Sequence, residues 1–312
     1  RSLHGLSVSS SLEALSRWRR VDTGEAKRCA FMSERRLSVP AIRSSKRSNG
    51  DEPLVMVTAY DEPSARFVDA AGVDMILVGD SVGNTVLGFN DTLHVTIEMM
   101  VHHTAAVARA QPDALIIGDL PWMSYHVSST QAVESAAMLI RAGAQAVKLE
   151  GGSNRAEAVH AIVDAEIPVM GHIGLTPQSV NAMGGYRVQG KSIEAAEEVR
   201  AGARALEEAG CFGLVLEGVP EALGAAVTAE RSIPTIGIGA GPRTDGQVLV
   251  FHDILGLGNR TPAKFVRVYA DIGSQITTAL QEFCGDVRAG TFPGEDESYA
   301  TSEKLSEHLE HE

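Results

Sequence analysis

Six ionisable residues recur at one kind of position, the end of a short apolar run. Asp80 closes the second run, Asp119 the third, Lys148 and Glu150 the fourth, His172 the fifth and Glu217 the sixth. A single Asp in such a place is ordinarily a helix cap or a turn former. Four carboxylates, at the ends of the second, third, fourth and sixth runs, are a different case. Brought together without a cation they repel, so they need a metal, protons, or Lys148 beside them. All-oxygen donors with open positions suit Mg²⁺ rather than Zn²⁺. The residues therefore read as a Mg²⁺ site with an acid or base nearby. The residues also allow a Schiff-base route through Lys148 and a non-catalytic binding or scaffold protein. His172 reads as a hydrogen-bonding neighbour rather than a ligand.

Such residues act together only if the runs that end in them share one rim. The apolar runs cover 54–58, 75–79, 114–118, 146–149, 167–171, 212–216, 233–238 and 248–251. Each is apolar on both faces, as strands of a covered parallel sheet are. Helical patterns lie between them. Asp61 is placed to cap one that carries Pro63 in its first turn and stops at Gly72. Others cover 129–141, 154–165, 192–209, 219–229 and 262–283. Strands alternating with helices in this number predict a (β/α)8 TIM barrel, whose strand ends converge on one active-site rim. A doubly wound sheet is the runner-up. The seventh and eighth runs are joined only by a Gly- and Pro-rich loop.

Two long loops open onto that rim. Residues 81–95 follow Asp80, and residues 171–190 read GHIGLTPQSVNAMGGYRVQG. Loops of this length in a compact domain are usually functional. GIGAG (237–241) follows the seventh run, but Pro242 breaks any dinucleotide fingerprint, so it reads as a tight glycine turn. His102, His103, Met99, Met100 and Met138 read as packing or surface residues.

Charge and cysteine content narrow the class. The net charge of −13 argues against a nucleic-acid binder. No apolar run approaches the roughly 18 residues of a membrane span. Three cysteines lie far apart without CxxC spacing, which fits a reducing cytoplasm and gives no disulfide framework. The first 50 residues hold 11 Lys and Arg against 4 Asp and Glu and are Ser-rich. Residues 1–36 therefore read as a disordered extension, 37–299 as one barrel, and 300–312 as a loose acidic tail.

The motifs carry a resemblance. VTAYD (57–61), LVGDSVGNTVLG (77–88), HTAAV (103–107), DLPWMSY (119–125), AVKLEGG (146–152), the loop 171–190, LEGVP (216–220) and IPTIGIGAG–TDGQVLVFHD (233–253) occur in order. Together they resemble the ketopantoate hydroxymethyltransferase family from about residue 37 to about residue 299. The resemblance implies a barrel of the phosphoenolpyruvate mutase and isocitrate lyase kind. It implies transfer of a one-carbon unit from methylenetetrahydrofolate to 2-oxoisovalerate, giving ketopantoate for pantothenate and coenzyme A synthesis. It also implies a cytoplasmic homo-oligomer, a decamer in many members.

By the same resemblance Asp80 and Asp119 ligate Mg²⁺ and frame the 2-oxo acid, and Glu150 completes the metal site, directly or through water. Ser81 and Lys148 bind the substrate carboxylate or carbonyl, and Glu217 is the base. The sequence departs from the family pattern at Gly218, His94 and Glu297.

Overall fold

The computed structural model describes residues 37–47, 52–258 and 261–309. The extension expected over 1–36 lies outside the described residues. The chain divides into two compact units, parted between Val248 and Leu249, and the expected span of 37–299 runs across that division.

The first unit is a closed barrel of parallel strands in sequence order. Its strands are β1 (Leu54–Thr58), β2 (Met75–Val78), β3 (Leu115–Asp119), β4 (Ala146–Glu150), β5 (Val169–Gly174), β6 (Gly213–Glu217), β7 (Thr235–Ile238) and β8 (Gly246–Leu249). Helices α1 (Val39–Ser44), α2 (Glu62–Ala70), α3 (Val82–Thr85), α4 (Ile97–Ala108), α5 (Ser129–Arg141), α6 (Ala156–Asp164), α7 (Val180–Met183), α8 (Ile193–Glu208) and α9 (Glu221–Glu230) precede or connect them. Asp61 caps α2 as expected. Its side chain accepts the Ser64 N–H at 2.8 Å, and Ser64 Oγ accepts the Asp61 N–H at 3.2 Å, a reciprocal capping box.

Several expected boundaries moved by about two residues, β8 among them. β8 starts two residues before the apolar run, because Gly246 and Gln247 pair with Ile236 and Gly237 of β7; Gln247 is solvent-facing and breaks the apolar signal. β7 and β8 are joined without a helix, as expected.

Side chains alternate along a strand, so residues two apart share a face. That parity builds the site. Leu115 and Ile117 lie in the buried interior cluster and Asp119 follows in the same series. Ala146 lies there and is followed by Lys148 and Glu150; Met170 is followed by His172, and Val215 by Glu217. The lower layers of the barrel are therefore apolar and the upper layer ionisable. Ile42 of α1 joins the lower layers, fully buried.

The second unit carries α10 (Phe251–Ile254), α11 (Ile272–Ala289) and α12 (Glu303–Leu309). The helix expected over 262–283 starts ten residues late. Asp271 caps it, accepting the Ser274 N–H at 3.2 Å, and left-handed Gly290 ends it. Within the expected acidic tail, Glu303–Leu309 forms α12. Among the described residues no helix is long and apolar enough to cross a membrane.

Candidate active site

Strand register sets the ionisable residues side by side. Asp119 of β3 lies opposite Lys148 of β4, Glu150 of β4 opposite His172 of β5, and Gly174 of β5 opposite Glu217 of β6. Lys148 Nζ stands 2.8 Å from Asp119 Oδ1, 3.3 Å from His172 Nδ1 and 3.9 Å from Glu150 Oε1. His172 spans two carboxylates, with Nδ1 3.5 Å from Glu150 Oε1 and Nε2 3.2 Å from Glu217 Oε2. Asp80, just past β2, donates its backbone N–H to Asp119 Oδ2 at 3.1 Å. Glu217 is positioned by a close backbone approach. Gly174 has φ +93°, and a Cβ there would meet the Glu217 carbonyl oxygen at 2.3 Å. That opening lets the Leu175 N–H reach the same oxygen at 2.8 Å.

The side chains of Asp119, Lys148, Glu150 and His172 are each under 5% exposed, whereas that of Glu217 is 15% exposed. Burial raises the carboxyl of Asp80 well above its usual range, and repulsion from Asp119 and Glu150 adds to it. Burial also raises Asp119, with Lys148 opposing. Burial would lower Lys148, but Asp119, Glu150 and Asp80 outweigh it and hold the ammonium protonated. Glu150 differs: burial pushes it up, yet His172, Lys148 and the Gln178 N–H bring it below the usual value. Burial and the Lys148 charge would lower His172, but Glu150 and Glu217 overcome both and raise it to about 9. At neutral pH the imidazole is thus a cation between two carboxylates.

Neutral residues from the loops complete the site. Ser81 Oγ lies 2.8 Å from the Tyr60 hydroxyl, and the Tyr60 carbonyl lies 2.7 Å from His103 Nδ1. His103, read from sequence as a packing or surface residue, thus reaches the backbone beside the site. Gln178, in the turn Pro177–Ser179, donates its N–H to Glu150 Oε2 at 2.9 Å and its amide to Asp80 Oδ2 at 2.8 Å. Tyr125 packs its hydroxyl between Gln178 and Glu150. Sequence reasoning missed Tyr60, Tyr125 and Gln178 as individuals. VTAYD, DLPWMSY and GHIGLTPQSV were singled out as motifs, but no charge marked these members of them. GIGAG is a tight turn: a Cβ on Gly241 would meet Glu221 Cγ at 2.3 Å.

The three expected metal ligands are not equivalent. Among the described residues no three His, Cys, Asp or Glu side chains converge on one point as a ready metal cage. Glu150 is taken up by Gln178, His172 and Lys148. Asp80 and Asp119 remain as the close pair. Lys148 Nζ is ion-paired to Asp119 Oδ1 at 2.8 Å, and among the described residues no neutral group donates to this buried oxygen. Two buried, mutually repelling carboxylates with such an oxygen are a donor set that fits a small hard cation.

The family profile described as ketopantoate hydroxymethyltransferase matches residues 36–295. The chain belongs to that family. A relative from Koribacter versatilis is 54% identical over 85% of this chain and 90% of its own length. One from Syntrophomonas wolfei is 50% identical over 88% of this chain and 99% of its own. Both are named 3-methyl-2-oxobutanoate hydroxymethyltransferase. As a member of the ketopantoate hydroxymethyltransferase family the chain is an enzyme, a one-carbon group transferase. Among solved structures, 2,3-dimethylmalate lyase, a PEP mutase/isocitrate lyase superfamily member, matches with a TM-score of 0.53 and 17% identity, over 88% of this chain and 96% of that one. A phosphonopyruvate hydrolase in complex with oxalate and Mg²⁺ matches with a TM-score of 0.55 and 13% identity, over the same shares. These likenesses show the (β/α)8 barrel fold expected from the sequence.

Proposed function

We propose that the chain transfers a one-carbon unit from methylenetetrahydrofolate to 2-oxoisovalerate (3-methyl-2-oxobutanoate), giving ketopantoate, at the rim built by β2 to β6. The observation that carries the reading is the ionisable layer itself, in which Glu217 is the most accessible carboxylate. The names of the relatives supply the substrate. Asp80 and Asp119 would hold Mg²⁺, with Glu150 bound to it through water. Bound there, the ion would draw electron density from the keto oxygen and acidify the adjacent carbon.

The remaining work belongs to the chain. Lys148, held protonated, binds the carboxylate or carbonyl of the 2-oxo acid, and Ser81 donates from a position fixed by Tyr60. Glu217 removes the proton from the branched carbon. The His172 cation beside it keeps that carboxylate oriented. The carbon then bonds to the methylene carbon as one of its two C–N bonds to the folate breaks, water displaces the second nitrogen and supplies the hydroxyl, and tetrahydrofolate leaves carrying the proton taken by Glu217 and one from water. A Schiff base needs a neutral lysine, which the Asp119–Lys148 pair opposes. A lyase or mutase acting on another 2-oxo acid has only the distant barrels in its favour.

Supporting details extend the reading to setting and assembly. Cys211 and Cys284 are free, which suits the cytoplasm. On α11, Ile276, Leu280, Phe283 and Val287 form an exposed apolar stripe at helical spacing, which supports a homo-oligomer, a decamer among the forms it could take.

Proton exchange tests the base. Wild-type enzyme with Mg²⁺ should exchange the branched-carbon proton of 2-oxoisovalerate with deuterated water in the absence of folate. Glu217→Gln should slow exchange and turnover together by about 10²–10⁴-fold. Exchange at the wild-type rate in Glu217→Gln would assign the proton to another group.

A further inference from the structure

We propose that Gln178 is a positioning residue for the cation site, fixing the Asp80 carboxylate against its repulsive neighbours; this rests on the Mg²⁺ reading above. The amide is 4% exposed and all its bonds are determined. Nε2 donates to Asp80 Oδ2 at 2.8 Å and to the Leu120 carbonyl at 3.0 Å. The Leu120 carbonyl can only accept, so the NH₂ group must face it, and with it Asp80 Oδ2. Oε1 accepts from the Tyr125 hydroxyl at 2.7 Å. That hydroxyl accepts the Glu150 N–H at 3.1 Å, and of its two acceptors, Gln178 Oε1 at 2.7 Å and the Glu150 carbonyl at 3.0 Å, Gln178 is the nearer. The amide therefore cannot flip. Meanwhile the Gln178 N–H holds Glu150 Oε2 at 2.9 Å. One residue of a loop turn thus grips the ends of β2, β3 and β4.

An amide suits this position for an electrostatic reason. Asp80 faces Asp119 and Glu150, both of which repel it. A lysine or arginine there would hold Asp80 but compete with a divalent ion for its charge. A carboxylate would add to the repulsion. A neutral donor orients one oxygen of Asp80 and leaves the negative charge of the site intact for a cation. Partners of this kind, one shell behind the ligands, typically change metal affinity by about 10–100-fold when lost.

The experiment measures cation binding to the apo protein, by Mn²⁺ electron paramagnetic resonance and by calorimetry with Mg²⁺, alongside metal-free melting temperature. Gln178→Met keeps the length and removes every side-chain hydrogen bond. Its Kd for Mn²⁺ should rise about 10–100-fold, and saturating Mg²⁺ should restore most of kcat. A merely structural role would lower the melting temperature and kcat with no repair by added cation. Tyr125→Phe keeps Gln178 but frees its amide, and should weaken binding in the same direction by a smaller factor. Wild-type binding with unchanged affinity in both variants overturns the proposal and leaves the cation reading standing. If Gln178→Met does not fold, unchanged affinity in Tyr125→Phe overturns it alone. Failure of the wild type to bind either ion overturns the cation reading, and this proposal with it.

Discussion

His172 offers a quantitative test of the ionisable layer. Its pKa lies at about 9, against 6.5 for an ordinary imidazole. A folded value above the unfolded one means that the bound proton stabilises the fold. The contribution is therefore complete below about pH 6.5 and is lost as pH rises through about 9. At about 1.4 kcal/mol for each pH unit, the interval corresponds to about 3 kcal/mol. The perturbation is His172→Asn, which keeps a polar group of similar reach but does not titrate. Urea unfolding of both proteins is followed from pH 6 to pH 10 in the absence of metal. Taking the difference between wild type and variant cancels the titration of distant groups. That difference should be largest at pH 6 and shrink by about 3 kcal/mol by pH 10. A difference that stays flat, or grows with pH, would refute the account of His172 as a cation between Glu150 and Glu217.

Two other perturbations probe the same layer. Lys148→Met removes the ammonium from among Asp119, Glu150 and Asp80 and should cost about 3–5 kcal/mol of stability. The loss should be larger at pH 8 than at pH 5 in urea unfolding, because the raised carboxyls of Asp80 and Asp119 relieve their repulsion by taking up protons at the lower pH; an equal loss at both would count against the charge argument. Stripping divalent ions with a chelator should abolish ketopantoate formation and added Mg²⁺ should restore it, and full turnover by thoroughly stripped enzyme would remove the metal from the mechanism.

The barrel was legible because its strands announce themselves twice. Each of β2 to β6 carries an apolar run, and each has an ionisable residue at or within two positions of its end. The first feature marks a covered parallel strand and the second marks the rim. Boundaries failed where the two signals were absent. Gln247 interrupts β8 with a solvent-facing polar residue, and α11 starts at a cap, Asp271, rather than at the Pro262 that sequence reasoning favoured. The charged members of the site were legible for the same reason as the strands. Tyr60, Tyr125 and Gln178 were not, because neutral polar residues in loops look like solvated surface. Gln178 reaches Asp80 across 98 positions of sequence, and no local pattern encodes that pairing.

The layering also explains how the register is held. Sliding a strand by one residue turns its buried series to the opposite face. Between β4 and β5 such a slip would break the lower apolar layer, where Ala146 and Met170 belong to one cluster. It would also separate Glu150 from His172, leaving a buried carboxylate and a buried imidazolium without each other. Each error is costly by itself, and the charged one costs more because both groups sit in low dielectric. The apolar rows thus set the barrel, and the ionisable row penalises every alternative alignment of the strands that carry it. The charge arrangement proposed to perform the chemistry is on this account also part of what selects the register, so a variant such as Lys148→Met should disturb stability and catalysis together.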